Sequence, residues 1–310
     1  MVTPVKRGRE FLHTPGPTNI PDRILNAMHR PAMDFASPAF QEISNKLFED
    51  MKGLFGTNEQ VFLYTSSGHG GWEGAFVNCF SPGDTILVPE VGRFGRGWGD
   101  FAERLGYKVQ RVVGDWRNPA DPALIEDALT KDKEHKIKGV LAVHVETATG
   151  SISDIAAIRR AMDAAGHPAL LIVDAIASFA SVPLDMEAWG VDVVVAASQK
   201  GLMLPPGLGF CAVSTKALEL SFESKSQMEY FSWKQRMGTE SYSRFCGTAP
   251  EHLVFGLVEA INMINEEGWD QVFARHTRLA NATRKAVDVW AEAGALEFNV
   301  IPPEARADSL

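Results

Sequence analysis

The chain is poor in the features that mark several large functional classes. It holds only three cysteines, Cys79, Cys211 and Cys246. An odd, widely spaced set fits reduced thiols in a cytoplasmic protein and supports neither a disulfide framework nor a zinc site. The eight histidines show no paired ligand spacing, so no metal is expected. No apolar run approaches the ~18 residues of a membrane span. The basic stretch at residues 1–9 runs into Glu10 and Pro15 without an apolar core, unlike a secretory leader. Positive charge is in deficit as well. A formal net charge of -9 argues against nucleic acid or an anionic membrane as partner. The lysines between residues 131 and 138 are interrupted by acids and read as a solvated helix end and loop. Internal repeats and low-complexity tracts are missing too.

What is present is apolar periodicity. With 310 residues, 45% of them hydrophobic, the chain can build one large domain and part of a second. Apolar, β-branched runs of strand length occur at residues 60–64, 85–89, 108–113, 139–144, 170–174, 191–196 and 209–213. Helical patterns such as 122–130 and 155–165 lie between most of them. This alternation predicts an α/β fold with a mostly parallel seven-stranded sheet and helices on both faces. Phe40, Ile43, Leu47, Met51 and Leu54 form a helical stripe over residues 38–55, with Ser37 as N-cap and Pro38 in the first turn. The link at residues 203–209 is too short for a crossover helix, which predicts an antiparallel last strand. Two helices, 252–267 and 269–293, are expected to meet at Gly268, and residues 296–301 offer one strand's worth of chain. The predicted organisation is an N-terminal arm at 1–20, a large cofactor-binding domain at 21–267, and at 268–310 an interdomain helix with the start of a smaller C-terminal domain.

Lys200 follows the apolar run 191–197 within Ser198-Gln199-Lys200-Gly201, and Asp174 ends the run 170–174. A lysine at the carboxyl end of a buried strand can form a Schiff base with the aldehyde of pyridoxal phosphate, while an aspartate can hold the pyridine nitrogen protonated. Taken singly, a surface lysine and a helix-capping aspartate explain the same residues. Residues 64–71, TyrThrSerSerGlyHisGlyGly, join a predicted strand to a helix expected to begin near Gly71, where free N–H groups and the helix dipole favour an anion. Glycine-rich turns also serve plain packing. The turn is neither a Walker loop nor a dinucleotide fingerprint, which leaves a nucleotide-binding oxidoreductase as the weaker competitor.

Taken in order, Pro15-Gly16-Pro17-Thr18-Asn19, Ser67-Gly68-His69, residues 144–150 (HVETATG), Val173-Asp174 and Ser198-Gln199-Lys200-Gly201 with Pro205-Pro206-Gly207 resemble the class V pyridoxal-phosphate aminotransferases. The likeness is greatest to the serine–glyoxylate and alanine–glyoxylate branch, and it spans essentially the whole chain. It implies a fold-type I transferase with Lys200 as the cofactor lysine and proton carrier and Asp174 on the pyridine nitrogen. It further implies Thr147 at the phenolic oxygen, Gln199, Ser67, Gly68 and His69 at the phosphate, and Phe94 stacked on the ring. A homodimer is implied, with Thr248 reaching the neighbour's phosphate.

Departures from the family pattern are informative. Phe245 stands where a phosphate-binding Tyr is usual, with Arg244 and Tyr242 as the nearby alternatives. Val145, Phe35-Ala36 and Ala175-Ile176-Ala177 replace residues usual in close relatives, so serine, alanine, aspartate or another small amino acid stays open as donor. Family members continue for roughly another domain-half, and that part carries the arginine that grips the substrate carboxylate. The chain is therefore expected to be truncated or divergent; Arg244 and Arg275 are the only substitutes worth weighing. Three functions follow: an aminotransferase passing an amino group to glyoxylate or another small 2-oxo acid, a class V lyase or desulfurase needing a reactive cysteine, and a cofactor-binding protein without full activity.

Overall fold

Runs rich in Val, Ile and Leu become strands where both faces of a sheet are covered, and the central strands here are buried from end to end. The computed structural model describes residues 12–310, so the basic stretch at residues 1–9 lies outside the described residues. Its strands are β1 (Gln60–Ser66), β2 (Thr85–Glu90), β3 (Lys108–Val113), β4 (Ile137–Val143), β5 (Val145–Glu146), β6 (Ser151–Ile152), β7 (Leu170–Asp174), β8 (Val193–Ala197) and β9 (Gly207–Val213). Seven form one sheet in the order β1-β9-β8-β7-β4-β2-β3, and β5 pairs with β6 in a small separate ladder. Only β9 runs against the rest, pairing antiparallel with both β8 and β1. The short 198–206 link leaves no room for a crossover, as its length predicts.

The helices are α1 (Asp22–Met28), α2 (Pro38–Phe55), α3 (Gly68–Cys79), α4 (Arg93–Arg104), α5 (Pro122–Lys131), α6 (Ile155–Ala164), α7 (Thr215–Ser221), α8 (Trp233–Arg236), α9 (Ser241–Phe245), α10 (Glu251–Glu267) and α11 (Trp269–Glu292). The start of α2 is capped as expected: Ser37 Oγ accepts from Phe40 N at 3.2 Å. Phe40, Leu47, Met51 and Leu54 are buried along its inner face. No helix among the described residues is long and apolar enough to cross a membrane.

Two expectations are corrected. The helix after β1 begins at Gly68 and not near Gly71, so Gly70, Gly71 and Gly74 lie inside it. Glycine weakens a helix interior, but here the missing side chains let α3 lie directly on the sheet. A Cβ at Gly71 would come within 2.7 Å of Val195 Cγ1, and one at Gly74 within 2.9 Å of the Tyr64 ring. The second correction concerns residues 296–301, which form no strand. Their main-chain groups are taken up by a loop: Arg117 donates to Phe298 O at 3.0 Å and Asn299 O at 3.1 Å, and Ile301 N donates to Arg117 O. Pro302 and Pro303 follow, and a proline lacks the N–H a ladder needs. The last residues are held by Arg284, which bonds Asp308 at 2.7 Å and the carbonyls of Arg306 and Ala307.

Close approach of α3 to the sheet makes Gly71→Ala a sharp probe. The variant is expected to lose roughly 1–3 kcal/mol, the usual cost of forcing a methyl into a packed core. In urea the midpoint should fall with an unchanged slope; an unchanged midpoint would mean that α3 can lift off the sheet without cost.

Candidate functional site

Parallel strands bring their carboxyl ends to one edge, and there the chain places its chemistry. Register puts Asp174 beside Val143 of β4 and Val195 of β8. The loop after β4 therefore delivers Thr147, the end of β7 delivers Asp174, and the loop after β8 delivers Gln199 and Lys200. From β2 the chain turns into α4 and presents Phe94, and from β1 it turns into α3 with Gly68 and His69.

Each loop is pinned. Ser198 Oγ donates to Pro205 O at 2.8 Å and accepts from Leu208 N at 3.2 Å, which staples the two ends of the lysine loop together. A side chain on Gly201 has no space, since a Cβ would lie 2.3 Å from Phe179 O. Residues 15–18 close over the lysine: Thr18 N donates to Gln199 O at 3.2 Å, and Lys200 Nζ donates to Pro15 O at 2.7 Å. Gly16 is needed there, both for its positive φ of 148° and because a Cβ would sit 2.5 Å from Lys200 Nζ.

Asp174 is almost wholly buried and reads two donors, Ile176 N at 2.8 Å on Oδ1 and Trp72 Nε1 at 3.1 Å on Oδ2. Loss of water pushes its carboxyl up to about 7, against the pull of those two donors; Glu146 adds to the rise and Lys200 opposes it. Burial also lowers the Lys200 amine below its ordinary value, with Asp174 pulling the other way. His69 is lowered by burial and then by Arg104, which favours the neutral ring near pH 7.

These residues enclose a cavity of about 200 Å³. Of the residues predicted from the sequence, Gly68, His69, Phe94 and Thr147 line it together with Asp174, Gln199 and Lys200. Ser67 and Thr248 do not. Ser67 is the N-cap of α3, with its carbonyl accepting from Gly70 N, and Thr248 is exposed ahead of α10. Trp72, Val145 and Ile176 also line the cavity. A larger cavity of about 560 Å³ lies at the opposite end of the strands, beside Cys79, Asp84 and Lys216. It has no comparable chemistry, because Lys216 there answers Asp192 at 3.7 Å and Asp84 caps Ser81 N at 2.7 Å.

The donor set fits pyridoxal phosphate. Gln199 lines the cavity with its Oε1 buried and unpartnered, so its amide can turn to present Nε2 as a donor to an anion. Gly70 N already donates to Ser67 O, but the N–H groups of Gly68 and His69 at the start of α3 lack intrahelical partners by the geometry of a helix start and suit a phosphate. The amine and the carboxylate complete the set.

Comparison with known proteins agrees with this geometry. The family described as Aminotransferase class-V matches residues 11–303. The chain belongs to the class V aminotransferases. The family uses pyridoxal phosphate, which decides against the nucleotide-binding oxidoreductase. The chain is 45% identical over 289 residues to the serine–glyoxylate aminotransferase of Methylorubrum extorquens, spanning 91% of this chain and 72% of the relative. It is 42% identical to the L-aspartate–glyoxylate aminotransferase of Paracoccus denitrificans, over 96% of this chain and 74% of that one. Among solved structures, the alanine–glyoxylate aminotransferase of a Nostoc species superposes with a TM-score of 0.85 at 25% identity, over 99% of this chain and 80% of that one.

Several residues of the site were not anticipated from the sequence. Trp72 sits one turn beyond Gly68 on α3, and that spacing is its only sequence signal. Pro15 and Gly16 stood in a quoted motif without a role.

The raised Asp174 carboxyl has a consequence for cofactor-free protein. A group whose folded value of about 7 lies above its ordinary 3.8 binds more protons folded than unfolded between those limits. The contribution of Asp174 to stability then falls as pH rises from about 4 to 7, by at most about 1.4 kcal/mol per pH unit, while His144, lowered by burial to about 4, contributes in the opposite direction up to its ordinary 6.5. Urea titrations across this window should show stability rising with pH more steeply, or falling less, in Asp174→Asn than in the wild type; equal slopes would place the proton uptake elsewhere.

Proposed function

We propose that this aminotransferase moves an amino group from a small amino acid, of the serine, alanine or aspartate kind, to glyoxylate or another small 2-oxo acid. The observation that carries the reading is one cavity holding both the Lys200 amine and the buried Asp174 carboxylate at the carboxyl ends of adjacent strands. The three relatives named above act with glyoxylate, which supports the acceptor.

Bound pyridoxal phosphate supplies an electron sink for the charge left when the substrate α-proton departs. Lys200 Nζ would be the base that takes up that proton and gives it back. A depressed amine is neutral more of the time near pH 7, which suits a base. Asp174 would pair with the ring nitrogen and favour its protonation, in a site shielded from water where such a pair counts for more than at the surface. Thr147 would serve the phenolic oxygen and Phe94 the ring face, while Gln199, Gly68 and His69 would hold the phosphate, with Ser67 beside them at the start of α3. Thr248 serves a neighbouring subunit in a homodimer; its exposure, away from its own chain's cavity, supports that role.

Neither arginine weighed as a carboxylate clamp lines the Asp174 cavity. Arg275 has its fork filled by Glu267 at 2.7 and 3.0 Å, and the Arg244 guanidinium lies 4.7 Å over the Phe48 ring. No cysteine lines the cavity either. Cys211 is buried with its thiol donating to Gly71 O, which favours transamination over a cysteine-dependent lyase or desulfurase.

Borohydride reduction of protein loaded with pyridoxal phosphate should leave the pyridoxyl mass on the peptide containing Lys200. A label on any other lysine overturns the assignment. With serine and glyoxylate the loaded protein should form glycine and 3-hydroxypyruvate. Lys200→Ala is expected to lower the α-proton step by about 10²–10⁴-fold, the range for removing a positioned base. Cofactor binding without amino transfer to any 2-oxo acid would favour the binding protein over the enzyme.

A further inference from the structure

Glu146 has no exposed surface, yet it carries a carboxylate that no cationic side chain pairs with among the described residues. Its partners are main-chain N–H groups from two directions. Oε2 accepts from Phe94 N at 2.9 Å and from Gly95 N at 3.0 Å, while Oε1 accepts from Ala148 N at 3.0 Å. Phe94 and Gly95 lie in the first turn of α4, whose N-cap residue Gly92 has no side chain to offer. Helix starts need an acceptor for these groups, and an anion there also answers the helix dipole. Gly92 admits the carboxylate: a Cβ at that position would lie 2.3 Å from Glu146 Cγ.

The same residue holds its own loop. Glu146 O accepts from Gly150 N at 2.9 Å and from Thr149 N at 3.3 Å, so Thr147 stands in a turn fastened at both ends by Glu146. One buried carboxylate therefore ties down Phe94 on α4 and Thr147 after β5, and both of those side chains line the Asp174 cavity.

We propose that Glu146 is a positioning residue that couples Phe94 and Thr147 into one rigid wall, so that the plane of the bound ring is set by a single carboxylate. The inference rests on the cofactor assignment above for its functional meaning, while the coupling itself belongs to the chain alone. Glu146→Gln keeps the shape but offers one acceptor oxygen in place of two, turning an amide N–H toward a backbone N–H on one side. Glu146→Asp keeps the charge but lacks the reach.

The test combines amide hydrogen exchange in cofactor-free protein with a mutant cycle read by binding of pyridoxal 5'-phosphate. In Glu146→Gln, or in Glu146→Asp where the first fails to fold, exchange at Phe94 and Gly95 or at Ala148 should quicken by about tenfold or more. Affinity for pyridoxal 5'-phosphate should fall by about 10–100-fold, the scale of lost hydrogen bonds to a charged group. The visible circular dichroism band of the bound cofactor should change as the ring tilts. In a background of Phe94→Ala with Thr147→Ala the same substitution should cost less than about threefold, because residues that act through one another are non-additive. A full cost in that background, or unchanged exchange at all three amides, overturns the proposal. So does a lower urea midpoint with unaltered affinity, which is the mark of a purely structural role. If wild-type protein itself fails to bind pyridoxal 5'-phosphate, the cofactor assignment fails and the exchange data still judge the coupling.

Discussion

A carboxylate kept out of water at the end of a central strand governs this molecule. Asp174 has little access to solvent, and an isolated ion there would be expensive. The fold answers with two fixed donors, Ile176 N and Trp72 Nε1, and with the Lys200 amine in the same cavity. These partners only partly repay the lost hydration, since the carboxyl stays raised to about 7. The remaining deficit is what a protonated ring nitrogen can satisfy. On the proposed reading, stability given up at Asp174 would be recovered on binding.

Holding that arrangement requires elements to approach more closely than ordinary side chains permit. Trp72 reaches Asp174 because α3 lies flat on the sheet, which its glycines allow. Lys200 is covered because Gly16 passes over its amine, and the Glu146 carboxylate reaches α4 because Gly92 has no Cβ. Three distant stretches of sequence meet at one cavity through missing side chains. Packing at the site is therefore set as much by what is omitted as by what reacts.

The sequence made the frame and the Asp174–Lys200 pair legible for clear physical reasons. Buried parallel strands must be continuously apolar, so β7 and β8 announce themselves, and a charged residue at the end of such a run stands out against them. Asp174 and Lys200 were visible for this reason. Gly68, His69, Phe94, Thr147 and Gln199 became legible only through resemblance to a family, since nothing in their local pattern distinguishes them from turn and packing residues. Trp72 and Glu146 stayed hidden because their partners lie far along the chain and an indole or a carboxylate looks the same whether it bonds solvent or a buried main-chain group. The end of the chain misled in a different way. Residues 296–301 have strand-like composition, but Arg117 and Asn299 engage the main-chain and side-chain groups that would steady a ladder, and no neighbouring strand edge takes them up.

Lys200 shows how the same close packing bears on chemistry. Its amine donates to Pro15 O at 2.7 Å, so the resting lysine is directed by a main-chain carbonyl from the start of the described chain as well as by Asp174. A carbonyl accepts from either a neutral amine or an ammonium, and it therefore orients Nζ without demanding that it be charged. Burial meanwhile favours the neutral form. Orientation and protonation are in this way assigned to different partners, Pro15 and Gly16 fixing where the nitrogen sits while desolvation sets its readiness to accept a proton. Lys138 and Lys216 also donate to main-chain carbonyls, so what sets Lys200 apart among the described lysines is that such a bond is joined to burial in the cavity that holds Asp174.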